Sequence, residues 1–127
     1  MKKRQVAPMM ILAISLGVIT PSQAQAPVQS LHKIKTEVLA KQYAQQQLVF
    51  RGYSTRDWVC LNYLWTKESH WNHKADNKHS TAYGIAQRLG EKSKSYVTQI
   101  NNGLRYIEHR YGNACNAWIF WKKKKWY

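Results

Sequence analysis

Acidic residues are scarce in this sequence. Only six Asp and Glu stand against twenty Lys and Arg in 127 residues, so the formal net charge is +14. A calcium-binding loop needs a series of oxygen ligands, which Asp76-Asn77 does not begin, so a loop of that kind is excluded. The excess positive charge predicts an anionic partner: nucleic acid, a membrane surface or an anionic cell-wall polymer.

Several sequence patterns that would identify a binding class are missing. The chain has no helix-turn-helix, zinc-finger or RNP pattern, which argues against a nucleic-acid partner. His70, His73 and His79 do not follow a recognised metal-ligand spacing, so we expect no metal and no cofactor. No strand pattern and no internal repeat stand out, which favours a mainly α-helical domain.

The N-terminus lacks an apolar run long enough to cross a bilayer comfortably. Met9–Val18 is apolar but short, and it follows the basic residues at positions 2–4. Small residues at Ala24 and Ala26 complete the pattern of a secretory signal peptide, 1–26, cleaved after residue 24 or 26. We therefore predict an exported protein, periplasmic or extracellular, without a stable membrane span. An uncleaved membrane anchor is the alternative. Removing the three basic residues leaves 17 basic and 6 acidic residues, a charge of +11.

Cysteine is also sparse, with only two residues, Cys60 and Cys115. In an exported chain such a pair predicts one disulfide, and a small domain benefits from the covalent link. The alternative is two free buried thiols.

The remaining chain divides into an N-terminal helical arm, 27–52, and a small domain, 53–127. The arm has apolar residues at approximately helical spacing: Leu31, Ile34, Val38, Leu39 and Leu48. Further helices are predicted from Ser54 or Thr55 onward, over Tyr96–Tyr111 with Gly112 as its stop, and over Ala114–Trp121.

Glu68 is the candidate residue for chemistry. It lies three residues after Trp65 and three before Trp71, at the end of a stripe that also contains Trp58, Leu61 and Leu64. A carboxyl group among large apolar rings is poorly solvated, so its pKa should rise, as a general acid near neutral pH requires. The alternative is a glutamate that merely ends a surface helix.

Three sequence blocks carry a resemblance to a known family. They are Glu68-Ser69-His70-Trp71-Asn72, Ser80-Thr81-Ala82-Tyr83-Gly84-Ile85-Ala86-Gln87, and Gly103-Leu104-Arg105-Tyr106-Ile107. In this order they resemble the soluble lytic transglycosylase (SLT) domain of the lysozyme-like superfamily. The cysteine positions and the ending Trp126-Tyr127 are similar to those of a small secreted subgroup.

The resemblance implies a small lysozyme-like helical domain with one disulfide that acts on peptidoglycan. In the family, one glutamic acid cleaves the MurNAc–GlcNAc β-1,4 bond and forms 1,6-anhydro-MurNAc, and Glu68 matches it. Ser69 is expected to orient the acid or substrate, and Tyr106 to hydrogen-bond the carboxylate. Residues implied to line the glycan cleft are Ser80, Tyr83, Gly84 and Gln87.

The sequence departs from the subgroup at three positions. His70 and Thr81 stand where glycine is usual, and Ala86 stands where proline is usual. A side chain at a glycine position strains the backbone where φ must be positive.

The implied partners are peptidoglycan strands and the anionic wall surface, bound by a monomer. Alternatives are a hydrolytic lysozyme on the same scaffold, an inactive cationic wall-binding protein and, on charge alone, a membrane-active protein.

Overall fold

The computed structural model describes Gly17 and residues 28–127, so the predicted signal segment lies outside the described residues apart from Gly17. The described chain is mainly helical and contains one disulfide, which confirms the predicted fold class. Its helices are α1 (Val28–Phe50), α2 (Thr55–Ser69), α3 (Tyr96–Tyr111) and α4 (Ala114–Lys124). Within residues 28–127, no helix is long and apolar enough to span a lipid bilayer.

A short antiparallel hairpin, absent from the sequence prediction, lies between α2 and α3. Its strands are β1 (Ala82–Tyr83) and β2 (Arg88–Leu89), with Ala82 paired to Leu89 and Tyr83 to Arg88. Two-residue strands are too short to produce a recognisable alternation of apolar and polar residues, so periodicity could not reveal them.

Helix α2 begins at a capping box. The Ser54 side chain accepts a hydrogen bond from the Asp57 backbone N–H at 3.3 Å, and the Asp57 carboxylate accepts one from the Ser54 N–H at 3.1 Å. Each side chain satisfies a backbone donor that the first turn would leave unpaired. This start confirms Ser54, one of the two predicted caps.

Helix α4 is longer than predicted and reaches Lys124 instead of Trp121. The added residues are lysines, which are good helix formers and place positive charge at the negative end of the helix dipole. Helix α3 matches its predicted bounds, and Gly112 follows it with φ 82°.

The hydrophobic core lies among the four helices and the hairpin. Its largest side chains with almost no exposed area are Leu61, Leu64, Trp65, Trp71, Ile85, Ile100, Leu104 and Ile107. Of the stripe predicted on α2, Leu61, Leu64 and Trp65 are fully buried and Trp58 packs half-buried against them. The predicted inward face of α2 is therefore correct.

Of the five apolar residues whose spacing predicted helix α1, only Leu48 is buried. Leu31 and Ile34 are 59% and 58% exposed, whereas Ala40, Ala44 and Leu48 are buried at a spacing of four. Alanine lets two helix backbones approach closely, so this narrow face packs while the bulkier stripe remains outside. The C-terminal half of the predicted arm thus belongs to the core.

Polar contacts hold α1 against α3. The Arg51 guanidinium donates to both carboxylate oxygens of Glu108, at 2.8 and 2.9 Å. The Tyr43 hydroxyl accepts from the Asn101 side chain at 2.8 Å. A bidentate arginine–carboxylate pair adds directional specificity to the apolar contact.

Cys60 on α2 and Cys115 on α4 form the predicted disulfide. The bond joins the start of α4 to the middle of α2 and closes a loop with a sequence separation of 55. It therefore restrains the position of the last helix relative to the helix that bears Glu68.

Replacing both cysteines by serine should lower the free energy of unfolding by about 4 kcal/mol, because the unfolded chain regains loop entropy. Urea unfolding of the variant and the oxidised wild-type protein measures the difference, and reduction of the wild type should reproduce it. Equal unfolding midpoints in all three samples would contradict the expectation.

Candidate active site

Glu68 lies in the last turn of α2, at the wall of an open cleft of about 290 Å³. Leu64 and Trp65, one turn earlier on the same helix, are fully buried, while Glu68 is only partly buried. The carboxyl group therefore stands where the core meets the cleft. The other cleft-lining residues are Asn77, Ala82, Gln87, Leu89, Lys125, Trp126 and Tyr127.

Burial raises the pKa of the Glu68 carboxyl group above its ordinary value. The opposing influence is a hydrogen bond from the Trp121 indole N–H to Glu68 Oε1, which stabilises the charged form and lowers the pKa. Burial is the larger effect, since removal from water disfavours the carboxylate. The predicted rise in this pKa is confirmed, and it suits a group that donates a proton near neutral pH.

Trp121 is a site residue that the sequence reasoning missed. It stacks on Trp118 with ring centres 5.3 Å apart, and Trp118 stacks on Tyr63 of α2 at 5.8 Å. This aromatic stack fixes α4 on α2 and points the indole at Glu68. The spacing of three between the tryptophans predicts a shared helix face, but no local signal says which side chain that face meets.

Ser69 does not orient the carboxyl group by direct contact. Its hydroxyl donates to the Ile85 carbonyl at 2.6 Å, and no hydrogen bond joins it to Glu68 in the described chain. The bond ties the end of α2 to the turn at 84–87. Ser69 therefore positions the site through the backbone.

The turn from Gly84 to Gln87, of which only Gln87 lines the cleft, is held by the buried side-chain amide of Gln99. Gly84 has φ 76°, and a Cβ there would collide with the Gln99 side chain. Gln99 accepts from the Ile85 N–H at 3.0 Å and donates to the His73 and Ser93 carbonyls. The sequence reasoning missed Gln99, which lies 14 residues from the N–H it binds.

Gln87 both stabilises the turn and lines the cleft. Its side-chain N–H₂ donates to the Gly84 carbonyl at 2.9 Å and to the Ala75 carbonyl at 3.2 Å. These bonds fix Gln87 at a positive φ of 48° beside the cleft. The structure thus brings Gln87 and Glu68 together, as the resemblance implies.

Three residues predicted to line the cleft, Ser80, Tyr83 and Gly84, lie outside the Glu68 cleft. Ser80 is exposed, and its hydroxyl accepts from the Ala82 N–H at 3.1 Å within a turn. The Tyr83 ring is half-buried under the Lys94 ammonium, at 3.8 Å from the ring centre. None of the three residues lines the cleft that contains Glu68.

Tyr106 does not make the hydrogen bond to Glu68 that the resemblance implies; none joins the two in the part of the chain described. Tyr106 instead packs edge-on against Tyr127, with ring centres 5.7 Å apart.

Tyr127 is held at the site by two hydrogen bonds. Its hydroxyl accepts from the Trp65 indole N–H at 2.9 Å and donates to the Ala86 carbonyl at 2.7 Å. Burial and the nearby Glu68 charge raise the pKa of Tyr127. A chain-end residue thus lies beside the acid, and this placement requires long-range folding.

Two of the four non-glycine residues with positive φ in the described chain, His70 and Trp71, lie shortly after Glu68. His70 and Trp71 have φ of 51° and 58°, a region that non-glycine residues rarely adopt. The strain expected at His70 is present, whereas Thr81 has no positive φ. The backbone strain at Trp71 is offset by burial of its ring against Trp65 and by a 3.0 Å hydrogen bond from its indole N–H to the Asn62 side chain. Such strain, about 1–3 kcal/mol per residue, often clusters at functional sites.

No group of three His, Cys, Asp or Glu side chains within the described residues could hold a metal ion. The histidines at 70, 73 and 79 therefore form no such group.

Comparisons of the chain with protein-family models, curated proteins and solved structures find no match. A functional interpretation therefore depends on the site's own geometry and on the three sequence blocks.

Replacing Trp121 by Phe should raise the pKa of Glu68 further, because the ring is kept but the donor to the carboxylate is lost. Carboxyl ¹³C chemical shifts followed through a pH titration measure this pKa. Trp118→Phe is the matched control, since Trp118 stacks in the same row without a bond to Glu68. An unchanged or lower pKa in Trp121→Phe would count against this role for the indole.

The raised pKa of Glu68 also predicts how stability depends on pH. A carboxyl group with a higher pKa in the folded chain stabilises the fold when protonated, and this contribution disappears as pH rises through the folded-state pKa. The glutamine of Glu68→Gln cannot ionise. The melting temperature of the variant minus that of the wild type should therefore be largest at neutral pH. The difference should shrink in acid. Thermal melting across pH checks this, and a pH-independent difference would be inconsistent with it.

Proposed function

We propose that this protein is an exported peptidoglycan lytic transglycosylase with Glu68 as its single acid and base. The observation that carries the proposal is a partly buried carboxyl group of raised pKa at the wall of an open cleft. The resemblance of three sequence blocks to the SLT family supplies the substrate class. The disulfide supports export, because such bonds persist in oxidising compartments.

The lack of a second carboxylate at the cleft favours this chemistry over ordinary glycoside hydrolysis, which uses a pair. Glu68 is the only acidic residue among those that line its cleft. Elsewhere, Glu108 is paired with Arg51, Glu91 accepts from Asn102 and from the Ser93 N–H, and Asp57 caps α2. Intramolecular attack by a sugar hydroxyl needs no separate base to activate water.

The proposed reaction has two proton transfers at one group. Protonated Glu68 gives its proton to the glycosidic oxygen as the bond from that oxygen to the muramic C1 breaks. The resulting carboxylate then takes the proton of the C6 hydroxyl while the C6 oxygen forms a bond to C1. The products are a 1,6-anhydro-muramyl end and a new GlcNAc hydroxyl, and Glu68 returns to its protonated form.

The Trp121 indole has a defined part in this scheme. Its N–H bond to Oε1 leaves Oε2 as the oxygen available to donate the proton. After proton transfer the same bond stabilises the carboxylate, because hydrogen bonds to a charged acceptor are stronger. The aromatic stack would keep this donor in place during both transfers.

Glu68→Gln should lower the release of anhydro-muropeptides from purified peptidoglycan by about 10²–10⁴-fold, because the positioned acid is lost. Mass spectrometry of the digest measures the products, and thermal melting checks folding. Asp76→Asn is the control, since Asp76 is an exposed carboxylate outside the cleft.

The products also distinguish the competing functions. Reducing muramic ends in place of anhydro ends would indicate a lysozyme. Wall binding without digestion would indicate a cationic binding protein. Full activity in a folded Glu68→Gln variant would refute the assignment of the acid.

A further inference from the structure

Two further depressions extend the Glu68 cleft along the surface. The first, of about 280 Å³, shares Gln87, Leu89 and Tyr127 with the cleft. The second, of about 300 Å³, shares Arg88 and Tyr106 with the first. The three therefore form a continuous surface that begins at the carboxyl group and ends on α3.

The two extensions are lined by positive charge. Arg88, Arg105 and Arg110 line them, and no carboxylate does. The nearest acid to Arg88 is Glu91, at 3.9 Å, and its two oxygens already accept hydrogen bonds from Asn102 and from the Ser93 N–H. Its side chain is only 5% exposed, so it faces inward and leaves the arginine surface positive.

Aromatic rings position the central arginine. The Arg110 guanidinium lies 5.9 Å from the Tyr106 ring centre, 5.6 Å from that of Tyr111 and 5.4 Å from that of Trp126. Contact with several rings restricts the side chain without satisfying its N–H donors. Arg110, whose guanidinium has five N–H donors, thus presents donors at the depression next to the cleft.

We propose that this arginine-lined surface binds the carboxylates that the glycan strand carries on its muramyl residues, a proposal that rests on the proposed function. Guanidinium groups match carboxylates in planar, paired hydrogen bonds. The first depression shares Gln87 and Tyr127 with the cleft, so it lies within reach of a substituent on a sugar bound at Glu68. The surface would therefore select muramyl strands over neutral glycans of the same backbone.

The test measures binding without turnover. The full mature chain with Glu68→Gln is titrated at low salt with three probes: a peptide-bearing peptidoglycan tetrasaccharide, the same tetrasaccharide after amidase removes the peptide, and neutral chitotetraose. The second probe has only its lactyl carboxylate, so it distinguishes the two sources of negative charge. The measured quantity is the ratio of Kd for chitotetraose to Kd for each anionic probe.

We expect this ratio to exceed one for the peptide-bearing probe and to fall about fivefold for each of Arg105→Gln and Arg110→Gln, the upper range for exposed charge pairs. Arg56→Gln removes the same charge from an exposed position of α2 outside the depressions and should leave the ratio unchanged. Within residues 28–127, the Arg105 side chain makes one hydrogen bond, to Asn102. Arg105→Gln therefore tests the proposal even if Arg110→Gln disturbs the neighbouring rings.

Equal affinity for anionic and neutral probes, or a ratio that Arg56→Gln lowers as much as Arg105→Gln, would overturn the proposal. Either result would leave the proposed function intact if the wild-type protein still releases anhydro-muropeptides. If the wild-type protein releases no anhydro-muropeptides while the ratio is preserved, the catalytic function is refuted and the anion-binding arginine surface is retained.

Discussion

The structure depends on the burial of one side chain, Trp65. Its ring has no exposed area, and it packs edge-on against Trp71 at 5.2 Å. On α3, a Cβ at Gly103 would lie 2.7 Å from the Trp65 ring and 2.8 Å from the Ala86 Cβ, so only glycine allows this approach. The indole N–H donates to Tyr127. One ring thus links α2, α3, the turn and the chain end around Glu68.

The surroundings of Glu68 combine several features that are unfavourable for stability. The carboxyl group is partly desolvated. His70 and Trp71, two and three residues further along the chain, have strained backbones. The buried rings and the disulfide between α2 and α4 offset these costs from outside the cleft. Strain and desolvation in one place, offset elsewhere, are common at functional sites and suit the proposed role of Glu68 in proton transfer.

Much of the fold could be predicted from local patterns. The apolar spacing on α2 and α3, the capping Ser54 and the stop at Gly112 each depend on a few neighbouring residues. In α1, periodicity predicted the helix but not which of its residues are buried, because periodicity ranks residues by hydrophobicity. Packing there favoured Ala40 and Ala44, whose small size permits close contact. The hairpin escaped prediction because its strands are only two residues long.

The sequence by itself determined the helices, the cysteine pair and the position of Glu68 at the end of a buried stripe, since these follow from composition and helical period. Only the tertiary structure decided which groups surround that carboxyl. Trp121 donates to it and Tyr127 lies beside it, whereas Tyr106 faces the arginine-lined depression. These neighbours are separated from Glu68 by about half the described chain, so their contacts arise from how α3, α4 and the last residues pack on α2. Side-chain period specifies a helix face, but only packing specifies what that face meets.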